Sequence, residues 1–171
     1  MPTEPGKTFS LTRAMTTEEG VYGLILVSGI IAATGSVGAP AWKELAFTLL
    51  TVIVFWAAHI YAGAVAAHGT ASASGEPMSL RSALRAAMRR TRGMLASTLF
   101  PALALLLGAL GLIGNSASIW LALWVCVATL GIFGYLAYSR KQAPVYMRLI
   151  GALATASFGA VIILAKALVT H

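Results

Sequence analysis

One ionisable side chain, that of His59, stands far from the ends of any apolar run in this chain. It lies in the second run, 45–67, within the segment FWAAHIY. An imidazole can take up a proton near neutral pH, and an unpaired ionisable group in hydrocarbon costs several kcal/mol. We therefore expect His59 to have either a hydrogen-bonding partner or a route to water.

Two hydroxyl side chains are predicted to lie at nearly the same depth as His59. Counting about 1.5 Å per residue along each helix places Ser28 of the first run and Thr155 of the last run at that level. The three residues would form a polar centre in which His59 relays a proton or a substrate. The alternative is that His59 remains neutral, bonds a hydroxyl or a carbonyl, and only fixes helix packing.

A second group of candidate residues is an arginine cluster at 79–92, directly before the third apolar run. On a helical wheel the apolar side chains of this segment share one arc, and the arginines flank it. Such a helix is typical of the headgroup region, where its arc enters the acyl chains and its guanidinium groups bind anionic phosphates. The candidate headgroup contacts are Arg81, Arg85, Arg89, Arg90 and Arg92.

The elements that would position these residues are five apolar runs, each long enough to cross a hydrocarbon core of roughly 30 Å. The predicted fold class is all-α: a polytopic membrane protein with five transmembrane helices and a cytoplasmic, interfacial Arg-rich helix at about 79–92. Residues 1–15 are predicted to form a flexible tail, and 16–171 a single transmembrane domain. Thr16 and Glu19 form a capping box that would start the first helix. The predicted spans are 20–39, 45–67, 93–114, 117–138 and 146–168.

Small residues indicate how these helices meet. Gly151, Thr155 and Gly159 give the fifth span a smooth face, and Ala58, Ala62 and Ala66 do the same for the second. Small side chains let two helix backbones approach closely in a membrane. Close packing is therefore predicted at both faces.

The composition favours a membrane protein and disfavours a soluble or a nucleic-acid-binding one. Hydrophobic residues make up 58% of the chain and charged residues only 10%. The formal net charge is +7, but the basic residues flank apolar runs instead of forming a solvated patch, so a bilayer explains them before a nucleic acid does. The predicted location is the bacterial inner membrane.

The distribution of Lys and Arg predicts the orientation. Cytoplasmic loops of membrane proteins carry an excess of these residues. With the N-terminus inside, ten of the 12 basic residues are cytoplasmic, and only Lys43 and Lys166 are outside. The C-terminus is then predicted to be outside.

The residues that common catalytic sites require are missing from the sequence. The chain has a single cysteine, Cys126, no Asp, no phosphate-binding Gly loop and no Ser-His-acid arrangement. The sequence therefore predicts neither an enzyme nor a metal or cofactor site.

Several short motifs together resemble a group of small actinobacterial five-span integral membrane proteins that carries no assigned activity. The motifs are Tyr22-Gly23 after a Glu pair, Trp56-x-x-His59-x-Tyr61, the Arg-rich segment before the third span, and Lys166 with His171. The resemblance implies a multi-pass membrane protein and no particular reaction.

Two functional hypotheses follow. The leading one is a small transporter or channel component, assembled as a homo-oligomer, with His59, Ser28 and Thr155 as its polar centre. The alternative is a non-transporting structural or accessory protein that binds a membrane partner or anionic lipid. Hydration of His59 would favour the first, and a dry, hydrogen-bonded His59 the second.

Overall fold

The structure is a computed structural model that describes residues 17–35, 40–70 and 77–169. These residues form helices and, within those ranges, no strand, so the all-α prediction is confirmed there. The predicted tail at 1–15 lies outside the described residues. The helices are α1 (Glu18–Thr34), α2 (Ala41–Ala67), α3 (Leu80–Arg90), α4 (Arg92–Ala109), α5 (Asn115–Ser139) and α6 (Val145–Val169).

Four segments are long and apolar enough to cross a membrane: α2, the α3–α4 segment Leu80–Ala109, α5 and α6. Helix α1, at 17 residues, is shorter than these. The predicted first span continues through 36–39, which lie outside the described residues. The structure thus supports several membrane-spanning helices, and the number of five spans stays a prediction.

Two helix starts differ from the predicted ones. Helix α1 begins at Glu18 and is capped by Thr17, whose side-chain oxygen accepts the Gly20 N–H at 3.3 Å. Helix α2 begins at Ala41, four residues before the predicted start, because its first turn is held from another helix. The Ala41 N–H donates to Asn115 Oδ1 at 3.0 Å and so has the partner that a helix N-terminus lacks.

Helix α4 ends at Ala109, five residues before the predicted end of the third span. Gly111 has φ +73°, a left-handed conformation that glycine adopts without steric cost. The chain therefore turns here, and Gly114 becomes the N-cap of α5.

Helix α1 is central and packs against α2, α4, α5 and α6. Its side chains Leu24, Val27 and Ile31 are fully buried. They meet Leu105 of α4 and Leu123 of α5 in one apolar core. This core therefore covers one side of α1 along its middle turns.

Helices α5 and α6 form an antiparallel pair through glycines. Gly134 lies against the backbone of Gly151 and the side chain of Thr155, and Gly159 lies against Val127. The predicted smooth face of the fifth span is therefore a packing face. In the second span, Ala58, Ala62 and Ala66 are exposed on the surface of the described chain, so close packing at that face stays a prediction.

The α3–α4 segment follows α2 along its length. At one end, a Cβ built on Gly108 would lie 2.8 Å from the Ala41 Cβ; at the other, a Cβ built on Gly63 would lie 3.4 Å from the Ala87 Cβ. The two contacts are separated by nearly the same number of residues along α2 as along the α3–α4 segment. Helix α3 thus continues the path of α4 beside α2, with only Thr91 between them.

This placement differs from the predicted helix that lies flat with its whole apolar arc in lipid. Ala83 and Ala87 are buried, and α2 is the main packing partner of α3. Leu80, Leu84 and Met88, also in the arc, are exposed. The small alanines allow α2 to approach, and the larger residues of the arc remain outside.

Candidate functional site

The structure does not assemble the predicted polar centre. The Ser28 hydroxyl donates to the Ile25 carbonyl oxygen at 2.8 Å, and the Thr155 hydroxyl donates to the Gly151 carbonyl oxygen at 2.8 Å. Each hydroxyl is therefore satisfied within its own helix. In the described part of the chain no hydrogen bond joins either of them to His59.

His59 lies instead on the surface of the bundle. Its side chain is exposed on α2 and stacks on Phe55, with ring centroids 5.9 Å apart and planes at 26°. Among the described residues no protein group is hydrogen-bonded to its imidazole. Because Gly63 of α2 lies beside Ala87 in an antiparallel arrangement, His59 is level with Thr91, close to the exposed Arg90 and Arg92.

Helix α2 carries two further polar atoms without partners among residues 17–35, 40–70 and 77–169. Thr48 Oγ1 and Trp56 Nε1 are both buried. Most buried polar atoms in folded proteins have a partner, so unsatisfied ones are unusual. Their occurrence on the same helix as His59 makes α2 the element whose polar groups are least satisfied within one chain.

A cluster that the sequence analysis missed lies at the C-terminal end of α1. Glu44 of α2 is only 3% exposed, and its carboxylate accepts the Thr34 hydroxyl at 2.5 Å. Lys166 of α6 is only 7% exposed, and its ammonium donates to the carbonyl oxygens of Ala32, at 3.1 Å, and Gly35. We call these five residues the α1 C-terminal cluster.

The electrostatics of the α1 C-terminal cluster explain why two charges are tolerated there. The last carbonyls of a helix have no partners within it and carry partial negative charge, which an ammonium group satisfies. Glu44 adds a full negative charge that attracts Lys166. The cluster therefore ties α2 and α6 to the end of α1. The sequence places Glu44 and Lys166 at the same predicted side of the membrane. Assigning acidic as well as basic residues to each side would therefore have indicated that these two lie near each other.

A second charged contact joins α1 to α3 at the opposite end of the bundle. Arg90 Nε donates to the Glu19 carboxylate, which is buried, whereas the Arg90 side chain is 72% exposed. Of the arginines predicted to contact headgroups, Arg90 is thus engaged in an ion pair. The others, which are exposed, are Arg81, Arg85, Arg89 and Arg92.

Comparisons of the chain with protein families, curated proteins and solved structures found no match.

Proposed function

We propose that the chain is a multi-pass protein of the bacterial inner membrane, with five spans, its N-terminus in the cytoplasm and its C-terminus outside. The distribution of charge supports this orientation. The described basic residues at the end where α1 begins are Arg81, Arg85, Arg89, Arg90, Arg92, Arg140, Lys141 and Arg148, against Lys43 and Lys166 at the other end. Since cytoplasmic loops carry the excess of Lys and Arg, the first end is the cytoplasmic one.

Reporter fusions test this orientation. Alkaline phosphatase, active only outside the cytoplasm, should be active when fused after His171 and inactive when fused after Arg140. Green fluorescent protein fused at the same two positions should give the opposite pattern. Phosphatase activity at Arg140 with fluorescence at His171 would contradict the proposed orientation.

For the activity, we infer an accessory or structural role, in which the protein binds other membrane components through its surface. This inference rests on one observation: His59 is exposed, while the hydroxyls of Ser28 and Thr155 are hydrogen-bonded within their own helices. A proton or substrate relay through the bundle would instead need polar groups that face one another across helices. The apolar packing around Leu24, Val27 and Ile31 favours the same role.

The exposed arginines of α3 give this role a second component. Helix α2 has 27 residues, about 40 Å of helix, which exceeds a hydrocarbon core of roughly 30 Å. Its last turns, and α3 beside them, therefore reach the headgroup level. At that level the exposed guanidinium groups of Arg81, Arg85 and Arg89 would bind the phosphates of anionic lipids.

Transport is the second candidate function, favoured by the lack of a partner for His59. A flux assay distinguishes the two functions. Vesicles containing the wild-type protein should leak protons and potassium no faster than empty vesicles, and His59→Phe should change nothing. His68→Phe, which alters an exposed histidine at the end of α2, is the matched control. Flux in the wild type that disappears in His59→Phe but persists in His68→Phe would establish the transport function and contradict the accessory one.

A further inference from the structure

His59 lies at the level of the ion pair between Arg90 and Glu19. Helices α2 and α3 are antiparallel, and Gly63 lies beside Ala87 where they meet. One turn from that contact, four residues back along α2 lead to His59, and three residues on along α3 lead to Arg90. The imidazole and the guanidinium group therefore lie on neighbouring helices at one level.

A second count, along α1, gives the same level. The Thr34 hydroxyl donates to the Glu44 carboxylate, which fixes one level of the antiparallel helices α1 and α2. Glu19 is 15 residues before Thr34, and His59 is 15 residues after Glu44. Two independent contacts thus place His59 level with Glu19, to which Arg90 is bound.

His59 and Arg90 also share the side of the bundle that faces α1. On α2, Glu44 bonds α1, and Thr48 lies one turn further on the same side. His59 follows Thr48 by 11 residues, about three turns, and so continues that side. Arg90 reaches α1 itself through Glu19. Because His59 is exposed, the described part of the chain leaves this side open at its level.

The groups around this opening suit the phosphate of a lipid. Arg90 uses Nε for Glu19, but its side chain is 72% exposed, so its other N–H groups can reach a ligand. The His59 imidazole has an N–H donor in either protonation state. Phe55, one turn nearer the middle of α2, stacks on His59 and presents an exposed apolar ring to acyl chains. Donors for a phosphate thus lie next to a surface for a hydrocarbon chain.

We propose that His59 and Arg90 together hold the phosphodiester of one anionic phospholipid in the cytoplasmic leaflet. The exposed arginines of α3 favour a lipid with net negative charge, because they repel the ammonium group of a zwitterionic one. Glu19 positions Arg90 without cancelling its exposure. The inference rests on the proposed function, since it names a lipid that the protein binds and adds a specific site to the general attraction of the arginines.

Titration of the full chain with phosphatidylglycerol in detergent tests the histidine. Native mass spectrometry measures the dissociation constant of the first bound lipid. His59→Phe keeps an aromatic ring against Phe55 but lacks the N–H, so it should weaken binding by about tenfold, the equivalent of one hydrogen bond to a charged group. His68→Phe, which alters an exposed histidine at the end of the same helix, should bind as the wild type does. Unchanged binding in His59→Phe would overturn the proposal.

The arginine is tested together with its ion-pair partner. Arg90→Gln alone would leave the buried Glu19 carboxylate unpaired, so it is combined with Glu19→Gln, which leaves two neutral amides that can bond each other. The double variant keeps the net charge but should bind phosphatidylglycerol about tenfold more weakly. Arg92→Gln is the control: it removes a positive charge two residues on, from another side of the helix. A smaller loss in the double variant than in Arg92→Gln would show attraction by net charge alone and contradict the site.

Further outcomes identify the ligand and separate this inference from the proposed function. Inorganic phosphate at the same concentration should not displace phosphatidylglycerol; if it does, the site binds a free anion and the lipid assignment is wrong. If both variants bind the lipid normally and no flux is seen, the site is wrong and the accessory function stands. If lipid binding follows the proposal but His59-dependent flux appears, the site stands and the accessory function is wrong.

Discussion

Gly134→Ala should lower the melting temperature of the protein in detergent, although alanine is normally the better helix former. A Cβ at position 134 would lie 2.5 Å from Thr155 Oγ1 and against the Gly151 carbonyl group. Backbone atoms cannot rotate out of the way, so α5 and α6 must move apart. Overpacking of this kind costs about 1–3 kcal/mol. We expect this loss to exceed the gain from helix propensity, which is at most about 1 kcal/mol.

Gly29→Ala is the matched control for this prediction. Gly29 also lies within a helix, but a Cβ built on it has no neighbouring atom within 4 Å. The control should therefore keep or slightly raise the melting temperature. If the two variants melted alike, the close α5–α6 contact would be wrong.

Lys166→Met is expected to destabilise the protein more strongly still. The substitution keeps an unbranched side chain but removes the ammonium that bonds the carbonyls of Ala32 and Gly35 and that attracts Glu44. The substitution leaves two buried carbonyl acceptors without their donor, and each unsatisfied buried group typically costs about 1–3 kcal/mol. Thermal unfolding in detergent, followed by circular dichroism, measures the loss.

The double variant Lys166→Met with Glu44→Gln should recover a large part of that loss. A neutral amide at position 44 no longer needs a counter-charge, and its oxygen can still accept the Thr34 hydroxyl. Lys43→Met, next to Glu44 in sequence but exposed, should melt close to the wild type. If Lys43→Met were as destabilising as Lys166→Met, or the double variant no better than Lys166→Met alone, the α1 C-terminal cluster would not stabilise the fold.

The helices themselves could be predicted because long apolar runs leave a chain few alternatives. In hydrocarbon each backbone group must find its partner nearby, and a helix provides that within the segment. The predicted ends were less accurate where a distant residue decides them. The start of α2 at Ala41 depends on a hydrogen bond to Asn115, which is 74 residues away in the sequence. A local sequence pattern does not include that contact.

The polar centre could not be predicted for a different reason. Counting residues from a helix end gives depth in the membrane, but it does not give the direction in which a side chain points. Ser28 and Thr155 share a predicted depth with His59, but serine and threonine readily bond a carbonyl of their own helix, as both do here. The sequence contains the residues of the α1 C-terminal cluster, but a count of Lys and Arg by loop does not pair Lys166 with the end of α1 or with Glu44.

The α1 C-terminal cluster also bears on the order in which the chain can assemble. Helix α1 is made well before α6, but the carbonyls that end α1 receive the Lys166 ammonium only when α6 is in place. A nascent chain released before α6 would expose both these carbonyls and the buried carboxylate of Glu44. Helix α6 thus completes the end of α1, so a chain interrupted between them has an uncapped helix end.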